Sequence, residues 1–518
     1  MDINRLTLEQ KIGQLFLVSF EGTEISPATK KHIQQHYFGN FIYFAKNLTD
    51  YKSIRQLSDS IQAITRENSG IPAFISTDQE GGMVARAYSG ATHFPSNMSV
   101  TASGMASQVG LMAEMVGKEL SALGINVNHA PVVDVNNNPD NPIIGVRAYS
   151  DDPAVVSNMA VSYINGLQKS KVMANAKHFP GHGDTSIDTH LALPTIEHDI
   201  GRLNSIELAP FKAAIAGGVD SIMTTHIIFK SIDELPATLS RKILTGLLRE
   251  KLDFKGLIMT DSMSMDAIQD NFTMEKGCVM AINAGADLLC MRIAPEIQSR
   301  CYNTVLEAAK SGEIAIETIN AAIERILHYK KKYGLESAPP MPQQIYPQHE
   351  ALADEISKKS ITLVEDKLGL LPLSGNKIFA ISPPPYRANI ADDSIVKLAA
   401  FSQTTAEALG CEYAEIAVNP GKDEIEAVIK SIAGYDTILY ASYNAIQYPG
   451  QVDLFNAIKA AGKQVILVSL RVPYDIFKMP GADAHVAAYE YTNRSVMNTI
   501  KALAGKLEFM GTLPVSNL

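Results

Sequence analysis

Three His, two Asp and one Lys fall within fourteen residues, Lys177 to His190, reading Lys-His-Phe-Pro-Gly-His-Gly-Asp-Thr-Ser-Ile-Asp-Thr-His. Side chains of these types move protons and hold polar ligands. Imidazole titrates near neutrality, and a carboxylate at one ring nitrogen fixes the tautomer and stabilises the charged form. Clustered histidines also suggest zinc. Just upstream, Val172–Ala176 is small and apolar and reads as a buried strand running into the segment. Pro180, Gly181 and Gly183 then interrupt regular structure, so the polar groups are expected on a loop at the strand's end. A rigid strand that carries titratable groups on its following loop is a common catalytic arrangement. Taken alone, the segment also reads as a solvated loop with incidental histidines.

Similar groups follow other apolar runs. One run ends in Thr77-Asp78-Gln79-Glu80-Gly81-Gly82, with Arg86 close behind. Another leads to Asp134-Val135-Asn136 and on to Asn141-Pro-Ile-Ile-Gly-Val-Arg147. Two more end in Met223-Thr-Thr-His226 and Met259-Thr-Asp261. Each residue has a plainer reading when considered singly. Asp78 or Asp261 could cap a helix, Arg86 and Arg147 could pair at the surface, Glu80 could support its loop, and His226 could be a satisfied histidine near the core. Five successive strand ends with such groups point instead to one shared site.

The elements that must position these groups alternate along the first two-thirds of the chain. Strand candidates are Gln14–Phe20, Asn40–Phe44, Ala73–Thr77, Ile125–Val132, Val172–Ala176, Ser221–Thr225, Gly256–Thr260 and Ala286–Met291. Helical periodicity lies between them, as in Tyr51–Glu67, Gln108–Leu123 and Pro153–Lys169. This rhythm predicts a (β/α)8 TIM barrel over residues 1–336, with catalytic groups at the strand C-termini. A doubly wound open sheet is the alternative, and no Gly-x-Gly-x-x-Gly follows a strand to support its nucleotide-binding form. Residues 337–348 form a Pro-rich linker, and 349–518 read as a smaller α/β sandwich domain.

Composition narrows the partners. Hydrophobic residues make up 46% and charged residues 19%, as in a soluble globular chain. A net charge of −10 and the lack of a long basic run argue against nucleic acid or an anionic membrane. No apolar run reaches transmembrane length. Four cysteines form no disulfide framework or metal knuckle pattern. No secretory signal is visible, so a cytoplasmic location is expected, or secretion if a leader has been removed. The chain has no Trp, so any sugar stacking must use Tyr, Phe or apolar edges. The oligomeric state is not legible.

Asp78-Gln-Glu-Gly-Gly, Asn141-Pro-Ile-Ile-Gly-Val-Arg147, Lys177-His-Phe-Pro-Gly-His-Gly, Asp188-Thr-His190 and Ile258-Met-Thr-Asp261 together resemble glycoside hydrolase family 3. The likeness is to its two-domain bacterial β-N-acetylglucosaminidases. It implies a retaining exo-enzyme that releases N-acetylglucosamine from cell-wall (muropeptide) or chitin-derived fragments. Asp261 would be the nucleophile and His190 the acid and base, with Asp188 as its carboxylate partner. His182 is the rival for the acid. Asp78, Arg86, Arg147, Lys177 and His178 would hold the sugar, with His226 lining the same pocket. No metal or organic cofactor is implied, and the partner is a small glycan. Met83 departs from the pattern, since the family usually has Arg there. A β-N-acetylglucosaminide phosphorylase and an inactive sugar-binding homologue are the alternatives. The glycines of the 181–190 loop are read as a sign that it is only lightly anchored.

Overall fold

The computed structural model describes residues 3–186, 193–336, 347–373, 377–389, 391–392 and 398–516. Eight parallel strands close into a barrel: β1 (Phe16–Val18), β2 (Asn40–Tyr43), β3 (Phe74–Thr77), β4 (Val127–Asn128), β5 (Met173–Phe179), β6 (Ser221–Thr224), β7 (Leu257–Ser262) and β8 (Leu288–Met291). They are continuous apolar runs because barrel strands are covered on both faces. Leu17, Ile42 and Cys290 pack inside the barrel floor, while the outer faces join the large core under the helices. Local chemistry starts and stops the helices as expected. Asp50 caps Tyr51–Ser69, and Gly70 ends it in the left-handed region at φ 71°. Asp152 caps Pro153–Lys169, with Pro153 in its first turn.

Two barrel elements differ from the expectation. β4 is only two residues long, and Pro131, which has no N–H to donate, stands just beyond it. β5 runs on through Lys177 and His178 to Phe179, so these two side chains belong to the strand and not to the loop. The loop begins at Pro180.

A second sheet follows, with β9 (Thr362–Asp366), β10 (Ile378–Ser382), β11 (Glu412–Glu415), β12 (Thr437–Ser442), β13 (Gln464–Ser469) and β14 (Ala484–Ala487) in the order β9-β14-β13-β12-β10-β11. Only β9 is antiparallel to its neighbour. Alternate residues of β12 and β13 face opposite ways. Ile438, Tyr440, Val465 and Leu467 pack on helices Lys422–Ser431 and Pro449–Ala460. Leu439, Ala441, Ile466 and Val468 pack on the side of Phe401–Leu409 and Asn493–Leu503. The result is an α/β sandwich of three layers. Residues 337–346 of the Pro-rich stretch lie outside the described residues. Pro347 already opens a helix, Pro347–Ser360, whose Leu352, Ala353 and Ile356 join the barrel's core.

The two units share polar and apolar contacts at the barrel's C-terminal end. A hairpin of Gln79–Gly81 and Val84–Ala85 projects Met83 into the sandwich core beside Ile361, Leu439 and Tyr491. Gly82, at its turn, has φ 55°, and a Cβ there would lie 2.5 Å from Ser96 Cβ and 2.9 Å from Glu490 Oε2. Nearby, Met98, Ala102 and Val146 of the barrel pack with Val472, Tyr474, Ala487 and Tyr489. The Asn136 amide donates to Tyr474 Oη at 2.9 Å, and Asn389 Nδ2 donates to the Pro142 carbonyl at 3.1 Å. Glu490 accepts the Ser96 amide at 2.6 Å and the Thr492 hydroxyl at 2.9 Å.

Burial pushes the Glu490 carboxyl up to about 7, and the Ser96 and Thr492 hydrogen bonds offset this only in part. A raised folded pKa contributes stability that is complete below the unfolded value of 4.5 and lost as pH rises through about 7. Glu490→Gln can still accept the Ser96 amide through its carbonyl oxygen and donate its NH2 to the Thr492 hydroxyl, and it removes the titration. Relative to wild type, the variant should gain on the order of 1–3 kcal/mol between pH 5 and 8. Thermal unfolding of both proteins across that range is the check; parallel curves would exclude the effect.

Candidate active site

The strand C-termini bring Asp78, Glu80, Arg86, Arg147, Lys177, His178, His182 and Asp261 around one pocket, together with Phe44, His129 and Arg292. At its base, Lys177 Nζ donates to Asp78 Oδ1 at 2.8 Å and lies 2.7 Å from Glu80 Oε1. Arg147 holds Glu80 in a fork, Nε to Oε2 at 2.9 Å and Nη2 to Oε1 at 2.8 Å. Arg86 stands 3.8 Å from the other Asp78 oxygen. The Lys177, Glu80 and Arg147 side chains are only 3%, 2% and 6% exposed, so these charges are dry and depend on one another.

Burial would raise both carboxyls, but the cations outweigh it. Lys177 and Arg86 hold Asp78 well below the usual carboxylate range, and Arg147 with Lys177 holds Glu80 near 2. Lys177 is itself raised, because Asp78 and Glu80 outweigh its burial. The cluster is therefore fully ionised at neutral pH and offers fixed donors and acceptors to a polyhydroxylated ligand.

Asp134 organises the next wall. It accepts the His178 amide at 3.2 Å, the His178 Nδ1 proton at 2.7 Å and the His182 amide at 2.7 Å. With Nδ1 so engaged, His178 presents Nε2 to the pocket. His182 is buried, and its Nδ1 lies 3.1 Å from Thr185 Oγ1. Burial, then the neighbouring His178, bring its imidazole down to about 4, so it is neutral at pH 7. The glycines around it serve close packing. A Cβ on Gly183 would sit 1.6 Å from the Val135 carbonyl oxygen, and Asn141 Nδ2 donates to the His182 and Gly183 carbonyls at 2.8 and 3.0 Å. The first part of the loop is thus firmly seated, contrary to the light anchoring expected from its glycines. Asp188 and His190 lie outside the described residues.

Asp261 stands at the end of β7, where a register irregularity falls between Met259 and Ser262. Its Oδ1 accepts the Ser262 amide at 2.7 Å. His226 is not among the residues that line the pocket. It is fully buried behind the wall, with Nε2 donating to the Ser262 carbonyl at 3.0 Å and Nδ1 at 2.8 Å from Thr238 Oγ1. These bonds tie the ring to the backbone of Ser262, the residue that follows Asp261.

Sequence reasoning overlooked three lining residues. His129 follows β4 and is held by Ser76 Oγ and Asn175, each at 2.9 Å. Burial brings it down to about 4. It lay hidden inside the apolar run Ile125–Val132. Phe44 and Arg292 directly follow or lie just past β2 and β8, and the position after the eighth strand was the signal that could have found Arg292. Among the described residues, Asp184, His198 and Glu207 place ligand atoms within 4.8 Å of one another. The Arg202 guanidinium already stands 3.5 Å from Asp184 and 3.4 Å from Glu207, supplying the positive charge there.

A family profile described as the glycosyl hydrolase family 3 N terminal domain matches residues 7–329. Beta-hexosaminidase A of Pseudoalteromonas piscicida is 31% identical, over 94% of this chain and 91% of its own. The solved structure of a glycoside hydrolase family 3 β-N-acetylglucosaminidase from Paenibacillus sp. str. FPU-7 superposes with a TM-score of 0.92 at 37% identity, covering 99% of each chain. A β-glucoside phosphorylase superposes with a TM-score of 0.83 at 25% identity, covering 99% of this chain and 95% of that one. The likeness extends through barrel and sandwich alike: the chain belongs to glycosyl hydrolase family 3 and is a glycoside hydrolase of the β-N-acetylhexosaminidase type.

Proposed function

We propose that this hydrolase is a retaining exo-β-N-acetylglucosaminidase that removes the non-reducing terminal N-acetylglucosamine from cell-wall (muropeptide) or chitin-derived fragments. The observation that carries the reading is the pairing of an Asp261 carboxylate at a strand end with the buried Asp78–Lys177–Glu80–Arg147 cluster in one pocket. The cluster is nearly inaccessible to solvent, so a sugar ring seated against it has no room to continue beyond. That favours attack at a chain end.

In this reading Asp78, Arg86, Arg147, Lys177 and His178 orient the terminal ring, and their binding energy supports its distortion toward the transition state. Asp261 attacks the anomeric carbon, and the glycosidic C–O bond breaks. His190, paired with Asp188 by the resemblance, gives a proton to the leaving oxygen and later takes one from the incoming water. Microscopic reversibility makes the same imidazole serve both steps. Phosphorolysis is the second reading, favoured by the similarity to a β-glucoside phosphorylase. A histidine base repels phosphate less than a carboxylate would.

Three outcomes test the assignment. Asp261→Asn should reduce release from 4-nitrophenyl N-acetyl-β-glucosaminide to background, because no glycosyl-enzyme can form; faster release from the plain glucoside than from the N-acetylglucosaminide would overturn the substrate class. His190→Ala should lose roughly 10²–10⁴-fold in glycosylation rate with a sugar leaving group and much less with 4-nitrophenol, which departs unprotonated. Equal losses on the two would move the acid role to another group. Glu80→Gln removes the charge between Arg147 and Lys177 while keeping the side chain's shape. Its kcat/KM should fall about 10–100-fold, the loss of one charge-assisted contact, with the far-ultraviolet circular dichroism unchanged.

A further inference from the structure

Arg292 is the one cation of the pocket lining whose guanidinium forms no ion pair among the described residues. Its Cζ lies 4.6 Å from the centre of the Phe44 ring, and its carbonyl accepts the Ser264 hydroxyl at 3.0 Å. Lys177, Arg147 and Arg86 each have a carboxylate partner. Arg86 approaches the same Phe44 ring at 5.8 Å, so two guanidinium groups lie close to one aromatic ring. Five N–H donors held at a pocket wall, with like charge nearby and the Asp78 carboxylate already bonded to Lys177, are matched to an anion that arrives with the ligand.

Location shows which part of the ligand that would be. In the closed strand order, β8 and β2 flank β1, and β1 lies across the barrel from β5, which carries Lys177 and His178. Arg292 therefore stands across the mouth from Lys177 and His178, on the side where Arg86 also approaches Phe44. Exposure increases in the same direction. Lys177 and Arg147 are buried, Arg292 is half-buried, and Arg387, from the second domain, is exposed. Arg387 Nε donates to the Asn389 carbonyl at 3.2 Å, and Asn389 in turn bonds to Pro142 of the barrel. Burial lowers the Arg292 pKa, Arg86 and Arg387 lower it further, and Asp78 offsets them in part, which places both positive charges and that carboxylate within electrostatic reach of it.

We propose that Arg292, stacked on Phe44 and assisted by Arg387, forms an oxyanion subsite on the leaving-group side of the pocket. The inference rests on the exo-glycosidase reading and narrows its substrate to glycosides whose leaving group carries a carboxylate. The same donors would also accept inorganic phosphate. In that case an oxygen of hydrogen phosphate bonds to the anomeric carbon while the bond from that carbon to Asp261 breaks. The electron pair returns to the Asp261 carboxylate, and the phosphate proton stays on the sugar phosphate.

The experiment compares two glycosides that differ only in the leaving group, 4-nitrophenyl N-acetyl-β-glucosaminide and its 3-carboxy-4-nitrophenyl counterpart, on wild type, Arg292→Gln and Arg387→Gln. The readout is the ratio of kcat/KM for the carboxylated over the neutral compound, which cancels any loss common to both. This ratio should fall about tenfold in Arg292→Gln, the value of one charge-assisted hydrogen bond, and about two- to threefold in the exposed Arg387→Gln. High salt should shrink the wild-type ratio. Inorganic phosphate, added alone, separates the sources. Competitive inhibition against the carboxylated compound without a new product supports a leaving-group carboxylate. Formation of N-acetylglucosamine 1-phosphate that weakens in Arg292→Gln supports phosphate as co-substrate. An unchanged ratio in both variants, with no effect of phosphate, would reduce Arg292 to a packing partner of Phe44 and overturn the proposal. Failure of wild type to turn over the neutral compound would instead overturn the function reading.

Discussion

The Glu80 carboxylate between Arg147 and Lys177 is the interaction on which the site depends. Removing three charges from water costs several kcal/mol for each ion unless each finds its partners in good geometry. Arg147 reaches Glu80 from the segment after β4, and Lys177 reaches it from within β5. A closed barrel supplies this convergence because neighbouring strands end at one rim. Asp134 does the same on the adjacent wall, gathering two amides and an imidazole onto one carboxylate. Both carboxylates orient other side chains and leave Asp261 on a separate strand, where its carboxylate accepts the Ser262 amide.

Much of this was legible because strand ends are visible as polar residues after apolar runs. Lys177 and Asp78 could be assigned to one site from that pattern, and their 2.8 Å contact is a matter of register that a one-dimensional pattern does not carry. His129 escaped notice because a barrel interior accepts a neutral, hydrogen-bonded imidazole, so it sat unmarked among Val and Ala. His226 was misplaced for the opposite reason. A histidine after a strand looks like a pocket residue until both nitrogens are found committed behind the wall. The glycines at 181 and 183 misled in a third way. Missing side chains permit either freedom or close approach, and only the Val135 carbonyl beside Gly183 shows which applies. The second domain's sandwich, by contrast, was legible from helix-like segments between its strand candidates, and the structure shows β12 and β13 packing helices on both faces.

The smaller domain has no strand-end cluster of its own in the pocket, yet it frames the mouth. Ala391 lines the pocket directly. The next residue, Asp392, is locked by Arg471 in a buried fork of 2.9 and 2.8 Å. That fork ties the loop to the end of β13 and holds it beside the barrel's 141–147 segment.

Met83 shows how deeply the two units are joined. The hairpin that begins at Asp78 and positions Glu80 ends in a thioether buried in the other unit's core. An arginine at this place would keep the hairpin tip in water, whereas methionine needs an apolar socket. The socket belongs to the sandwich. The grip on the sugar is therefore partly built from the other unit's core, as a tent line is held by a peg outside the canvas. A barrel separated from its sandwich would lose that anchorage along with the small domain, so a change in the socket around Met83 reaches the hairpin that carries Glu80.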